Sequence, residues 1–103
     1  MTQPTAPVSA VGMAWFRESE YQRVRKEMAD GHLLHRTFRE WHKAAQQGEA
    51  SLTQQGRRVI RAQIKLDDFL AWCASLNISP NADARMRWAN EVAYRELMQE
   101  RSQ

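Results

Sequence analysis

The sequence predicts a small α+β domain that is mainly helical, with four helices and one strand. Along most of the chain, apolar residues recur every three or four positions, which is the period of a helix with one buried face. Residues 57–66 instead alternate apolar and polar side chains, as a half-buried strand does. The chain has 103 residues, 43% of them hydrophobic and 26% charged, which is typical of one globular domain.

The composition argues against several classes of protein. No apolar run approaches the ~20 residues that a membrane-spanning helix needs. Residues 1–11 lack the basic start and the apolar stretch of a secretory signal. Cys73 is the single cysteine, so an internal disulfide is excluded and we expect a cytoplasmic protein. The formal net charge of +3 is too small to indicate nucleic acid binding by itself.

The first part of the chain is predicted to be a tail followed by a short helix. Residues 1–12 contain no charged side chain and two prolines, so we expect a flexible tail ahead of a single domain at 13–101. Ser19 and Gln22 have the spacing of a capping box, which predicts a helix start. We expect this helix to end where Gly31 adopts a left-handed conformation.

The second helix is predicted to run from the capping box of Thr37 and Glu40 to a glycine stop at Gly56. An apolar stripe follows that start at helical spacing: Phe38, Trp41, Ala45, Gly48 and Leu52. Gly48 lowers the stability of an isolated helix by ~1 kcal/mol relative to alanine. Its place on the stripe therefore indicates either a close approach by another element or a kink.

Two further helices are predicted after the strand. Asp67 or Asp68 is expected to cap a short helix that ends at Asn77 in the left-handed region. Ser79 and Pro80 have the residue types of an N-cap and a first helical position, so they predict the start of the last helix. The expected buried stripe of this last helix is Met86, Ala89, Ala93 and Leu97.

The predicted strand requires a partner, because each unpaired buried backbone group costs ~1–3 kcal/mol. Inside the chain, the best candidate is residues 11–16, where Val11, Met13 and Trp15 alternate with small residues. Residues 32–35 are a weaker candidate. A second copy of the protein, joined strand to strand across a two-fold axis, is another solution, and an extended loop is the last.

The candidate catalytic and metal-binding residues are few. His32 and His35 are three positions apart, but a closed zinc site normally has two such ligand pairs, so we expect no metal and no cofactor. Cys73 has apolar neighbours, which predict burial and a raised pKa instead of a reactive thiolate. Asp67 and Asp68 diverge by ~100° on a helix and do not face one substrate together. We therefore expect a protein without catalytic activity.

One basic cluster and one aromatic pair remain as candidate binding residues. The basic residues fall within nine positions on the predicted strand: Arg57, Arg58, Arg61 and Lys65. Trp15 and Phe16, at the junction with the predicted tail, are expected to be half-exposed anchors. The alternative interpretation of the basic face is a solvated or internally paired strand edge.

These residues predict a non-catalytic module that binds another protein or a second copy of itself. The alternative is an accessory protein that binds nucleic acid through the same strand face or the last helix. In that case phosphates would be contacted by Arg85, Arg87 and Arg95 or by the strand arginines.

Three segments give a resemblance to a group of small uncharacterised bacterial proteins. They are Met13-Ala14-Trp15-Phe16, Thr37-Phe38-Arg39-Glu40-Trp41 and Asp68-Phe69-Leu70-Ala71-Trp72-Cys73, followed by Ala84-Arg85. The resemblance covers about residues 13–95. It implies a compact cytoplasmic bacterial domain and supplies no activity, cofactor or site.

Overall fold

Two parallel strands, β1 (Ala10–Trp15) and β2 (Arg58–Gln63), form the sheet of the computed structural model, which describes residues 10–101. Ala10 lies opposite Arg58, and Trp15 lies opposite Gln63. The predicted pairing of the strand with residues 11–16 is therefore confirmed. The strand also includes residues 10–12, which the sequence prediction placed in the tail, while residues 1–9 lie outside the described residues.

Within residues 10–101 the strands are accompanied by four α-helices, as the α+β prediction requires. They are α1 (Tyr21–Glu27), α2 (Phe38–Gln54), α3 (Leu66–Leu76) and α4 (Ala82–Arg101). Short 3₁₀ turns at Glu18–Glu20 and Gly31–Leu33 precede α1 and α2. Parallel strands cannot be joined by a tight turn, so α1 and α2 form the crossover between them.

The two faces of the sheet are covered by different helices. A Cβ added at Gly12 would meet the backbone of Ala89 on α4, whereas Met13, the next residue, lies against Gly48 on α2. Because successive strand residues point to opposite faces, α4 and α2 lie on opposite sides of the sheet. A Cβ added at Gly48 would make an ordinary 3.5 Å contact with the end of Met13, so the close approach that the sequence offered beside a kink is not confirmed.

The alternation predicted for the strand is confirmed around β2. Ile60, Ala62 and Ile64 are buried, and the residues between them are exposed. The strand ends at Gln63, earlier than the predicted 57–66, because α3 already begins at Leu66.

Three predicted helix boundaries are confirmed by the backbone. Thr37 Oγ1 accepts a hydrogen bond from the Glu40 backbone N–H at 3.1 Å. Gly56 follows α2 with φ of 81°, and Asn77 ends α3 with φ of 55°, both in the left-handed region. Each of these three residues determines a helix boundary through contacts with the backbone of residues close to it in the sequence.

Two predicted boundaries of α1 are wrong. Ser19 makes no cap, because a 3₁₀ turn occupies that segment and α1 begins only at Tyr21. Gly31 is not left-handed, since among the described residues only Asn77 and Gly56 have a positive φ. Its side-chain-free Cα is needed because a Cβ there would lie 1.8 Å from the carbonyl oxygen of Arg25.

The caps of α3 and α4 also differ from the prediction. Asp67 and Asp68 lie in the first turn of α3, and the Leu66 N–H donates to Glu20 Oε1 at 3.1 Å. Asn81 caps α4, where its Oδ1 accepts from the Ala84 N–H at 3.0 Å. Ser79 and Pro80 therefore precede the helix.

The predicted buried stripe of α4 is confirmed at Ala89 and Ala93 and wrong at Met86. Met86 is 63% exposed, while Arg85, Ala89 and Ala93 are buried. Arg85 tolerates burial because its guanidinium donates two hydrogen bonds to the Asp30 carboxylate, at 2.8 and 2.7 Å. This ion pair joins the loop after α1 to the start of α4.

The contact between β1 and α4 predicts that a methyl group added at Gly12 strongly destabilises the protein. In Gly12→Ala the new Cβ would lie 2.2 Å from the Ala89 carbonyl oxygen, and neither backbone can move independently. We expect the free energy of unfolding to fall by about 3 kcal/mol. The control is Gly48→Ala, whose Cβ would lie 3.5 Å from the flexible end of Met13 and which we expect to stabilise α2 by about 0.5–1 kcal/mol. Urea denaturation of both variants measures this, and equal stability would contradict the packing.

The Asp30–Arg85 ion pair predicts a pH dependence of stability. The Arg85 guanidinium holds the pKa of Asp30 below its usual value of 3.8. The stabilisation is therefore complete above that value and is lost as the pH falls through the lower folded-state pKa. We expect Asp30→Asn to lower the free energy of unfolding at pH 7 by about 3 kcal/mol, because it leaves Arg85 buried without a counter-charge. The difference from the wild type should shrink below about pH 3.5, as urea denaturation across pH would show. A constant difference down to pH 2 would exclude this origin.

Candidate functional site

Arg61, the central residue of the predicted basic surface, is bound within the fold. Its Nε and Nη2 each donate to the Glu49 carboxylate on α2 at 2.7 Å. Its Cζ also lies 3.9 Å from the centre of a Trp15 ring, in a cation–π contact. The hydrogen bonds from Arg61 lower the pKa of Glu49. Arg61 therefore fastens α2 to the sheet.

The other predicted basic residues have two different fates. Arg58 forms an ion pair with Glu100 near the end of α4, and this hydrogen bonding raises the pKa of Arg58. Arg57 and Lys65 flank β2 and are exposed. Two of the four predicted contact residues thus hold helices against the sheet, as in the internally paired alternative.

Trp15 and Phe16 do not form an exposed anchor. Each is only 4% exposed. Trp15 lies edge to face with Trp41 of α2, with ring centres 5.3 Å apart, and Phe16 lies 4.9 Å from the same Trp41. The prediction is wrong because the pairing of β1 with β2 draws both aromatic rings into the core.

The histidines and the cysteine are the remaining candidates for metal binding or catalysis. Within residues 10–101 no group of three His, Cys, Asp or Glu side chains is arranged to hold a metal ion. His42 stacks on Phe38 with ring centres 5.1 Å apart. Cys73 is buried on α3, and burial raises the pKa of its thiol. This environment disfavours the thiolate and gives no support to nucleophilic chemistry.

A concave surface that none of these residues forms lies along α3 and the outer side of α4. We call it the α3–α4 cleft; its volume is about 940 Å³. It is lined by Asp68, Trp72, Asp83, Met86, Arg87, Trp88, Asn90, Glu91, Tyr94 and Arg95. Sequence reasoning did not identify this site.

Two tryptophans give the cleft a firm wall. Trp72 and Trp88 lie edge to face with ring centres 5.3 Å apart, and Phe69 packs within 5.8 Å of both. Trp88 Nε1–H donates to the carbonyl oxygen of Gln63 at 3.2 Å. Because β2 holds this indole in place, the wall exists without a ligand.

Two exposed apolar side chains, Met86 and Tyr94, line this cleft. In the part of the chain that the structure describes, five large apolar residues are exposed, and four of them lie on α3 or α4: Leu76, Met86, Tyr94 and Met98. Met86 and Tyr94 are 63% and 64% exposed, and Asn90 lies midway between them at four-residue spacing. Apolar side chains exposed together on one surface are a feature of protein interaction sites.

On α4 we call Met86, Asn90 and Tyr94 the apolar row, and a charged row runs beside it. Its members alternate in sign at four-residue spacing: Asp83, Arg87, Glu91 and Arg95. Arg87 and Glu91 approach to 3.7 Å, which is longer than a hydrogen bond, and both side chains are about half exposed. Both charges therefore remain accessible to a partner.

One signal in the sequence could have revealed this surface. The apolar residues of α4 occupy more than one side of the helix, since Tyr94 and Met98 lie about 140° and 180° around it from Ala89. A helix with a second apolar side indicates a second contact.

Comparisons with known proteins add no family to this description. No protein-family model, curated protein or solved structure matches the chain. The resemblance to small bacterial proteins therefore stays a prediction. No helix within residues 10–101 combines the length and the hydropathy that crossing a bilayer demands.

The burial of Cys73 predicts slow thiol chemistry. Because its side chain is 1% exposed and its pKa is raised by burial, we expect the native protein to react with a disulfide reagent at least a hundredfold more slowly than the urea-unfolded chain at pH 8. Absorbance of the released thiol measures both rates. Comparable rates would show that the thiol is accessible and would reopen a chemical role.

Proposed function

We propose that this protein is a non-catalytic, cytoplasmic protein-interaction module that binds through the α3–α4 cleft. The observation that carries this proposal is the exposure of Met86 and Tyr94 beside the fixed pair Trp72 and Trp88. The buried free thiol of Cys73 supports the reducing compartment.

The residue types of the cleft match those of protein contact surfaces. Aromatic and methionine side chains are enriched at such surfaces, and a few of them supply most of the binding energy. Trp72 and Trp88 are already ordered by their packing, so binding loses little side-chain entropy there. The charged rim supplies both signs, which favours a protein partner over a polyanion.

The arginine contacts favour protein over nucleic acid. The alternative function requires strand or α4 arginines that face phosphates. Arg58 and Arg61 are engaged with carboxylates, and Arg85 is buried against Asp30. Arg87 and Arg95 line the cleft next to Glu91, which would repel a phosphate backbone.

A photo-crosslinking residue placed at position 86 or 94 tests the proposed surface. We expect covalent complexes with a discrete protein in the cells that express this chain. Leu33, which is 75% exposed and lies outside the cleft, supplies the matched control position, and Lys65 probes the basic strand. Crosslinks at Leu33 or Lys65 as strong as those at the cleft would refute the assignment.

Binding itself should depend on the apolar row. We expect the Met86→Asp, Tyr94→Asp double variant to weaken the complex at least tenfold, about 1.4 kcal/mol, with an unchanged unfolding midpoint because both side chains are exposed. Leu33→Asp should leave affinity unchanged. Duplex DNA binding that weakens steeply with salt, and that the double variant retains, would instead favour the nucleic acid alternative.

A further inference from the structure

We infer that the partner of the α3–α4 cleft is a second copy of this chain, with α4 packed antiparallel against α4 of the copy. This inference rests on the proposed function and names the partner of the same surface. It differs from the strand-to-strand dimer that the sequence suggested, since β2 already pairs with β1 inside the chain.

The charged row has a sequence of signs that is complementary to the same row of an antiparallel copy. From Asp83 to Arg95 the signs run negative, positive, negative, positive, so an antiparallel copy presents positive, negative, positive, negative. Asp83 then faces the partner's Arg95, and Arg87 faces the partner's Glu91. A parallel copy related by a two-fold axis would instead place the charged row against the apolar row, which leaves these charges unpaired.

The apolar row has nearly the same centre of symmetry. Met86 and Tyr94 are each four residues from Asn90, so an antiparallel copy places Met86 against the partner's Tyr94. The central amide has donors and an acceptor, and it can pair with the partner's Asn90 across the two-fold axis. The charged row is centred one residue away, a displacement of ~1.5 Å that long side chains accommodate.

Two-fold symmetry also keeps the rows together. When two antiparallel helices are related by a two-fold axis between them, each row meets the same row of the partner. The apolar row therefore contacts the apolar row, and the charged row contacts the charged row. At 20 residues, α4 offers ~30 Å of helix for this contact.

Charge reversal on α4 separates this inference from any other partner. In sedimentation equilibrium we expect the wild type to form dimers, and Arg87→Glu and Glu91→Arg each to weaken the dimer at least tenfold. Mixing the two single variants should restore a dimer, because each now presents the charge that the other lacks. Arg57→Glu, an equal charge reversal at an exposed site outside the cleft, should have no effect.

Folding of each variant is checked by its unfolding midpoint, since Arg87→Glu places two carboxylates four residues apart. Restoration in the mixture cannot arise from repair within one chain, so it supports the antiparallel contact. A monomeric wild type, or single variants whose mixture stays monomeric, overturns the inference. If the wild type is monomeric but positions 86 and 94 crosslink to a different protein, the second copy is wrong and the proposed function stands. If those positions also fail to crosslink, both are wrong.

Discussion

The parallel pairing of β1 and β2 is the constraint on which the rest of the structure depends. Parallel strands require a long crossover, and α1 and α2 supply it. A sheet of two strands has too little area for a core of its own, so helices must cover both faces. Gly12 admits α4 on one face, and Trp15 reaches Trp41 of α2 on the other. The hydrophobic core is centred at the carboxyl end of the sheet, around Trp15, Phe16 and Ile64.

Three arginines of this small domain connect elements that are distant along the chain. Arg61 joins β2 to α2, Arg58 joins β2 to the end of α4, and Arg85 joins α4 to the loop after α1. A planar guanidinium can hold a carboxylate with two parallel hydrogen bonds, which fixes orientation as well as distance. A basic composition is accordingly a poor guide to what this surface binds.

Local signals in the sequence predicted much of the fold, and long-range contacts account for most of what was missed. The alternation of β2, the cap at Thr37 and the stop at Asn77 each depend on residues nearby. The start of α3 depends instead on Glu20, which is 46 residues away. The candidate site was missed for the same reason. The sequence prediction placed Met86 on the buried side of α4, but in the fold Arg85 is buried there, paired with Asp30.

The position of the sheet partners along the chain has a consequence for how the protein acquires its structure. Ala10 and Arg58 are neighbours in the sheet but are far apart along the chain. β1 can therefore pair with β2 only after the chain between them has brought the two strands together. The face of the sheet that contains Gly12 is covered by α4, which follows later still in the chain, at Ala82–Arg101. Folding of this domain is therefore expected to be rate-limited by closing a long loop, and a nascent chain lacking its last helix leaves an apolar sheet uncovered.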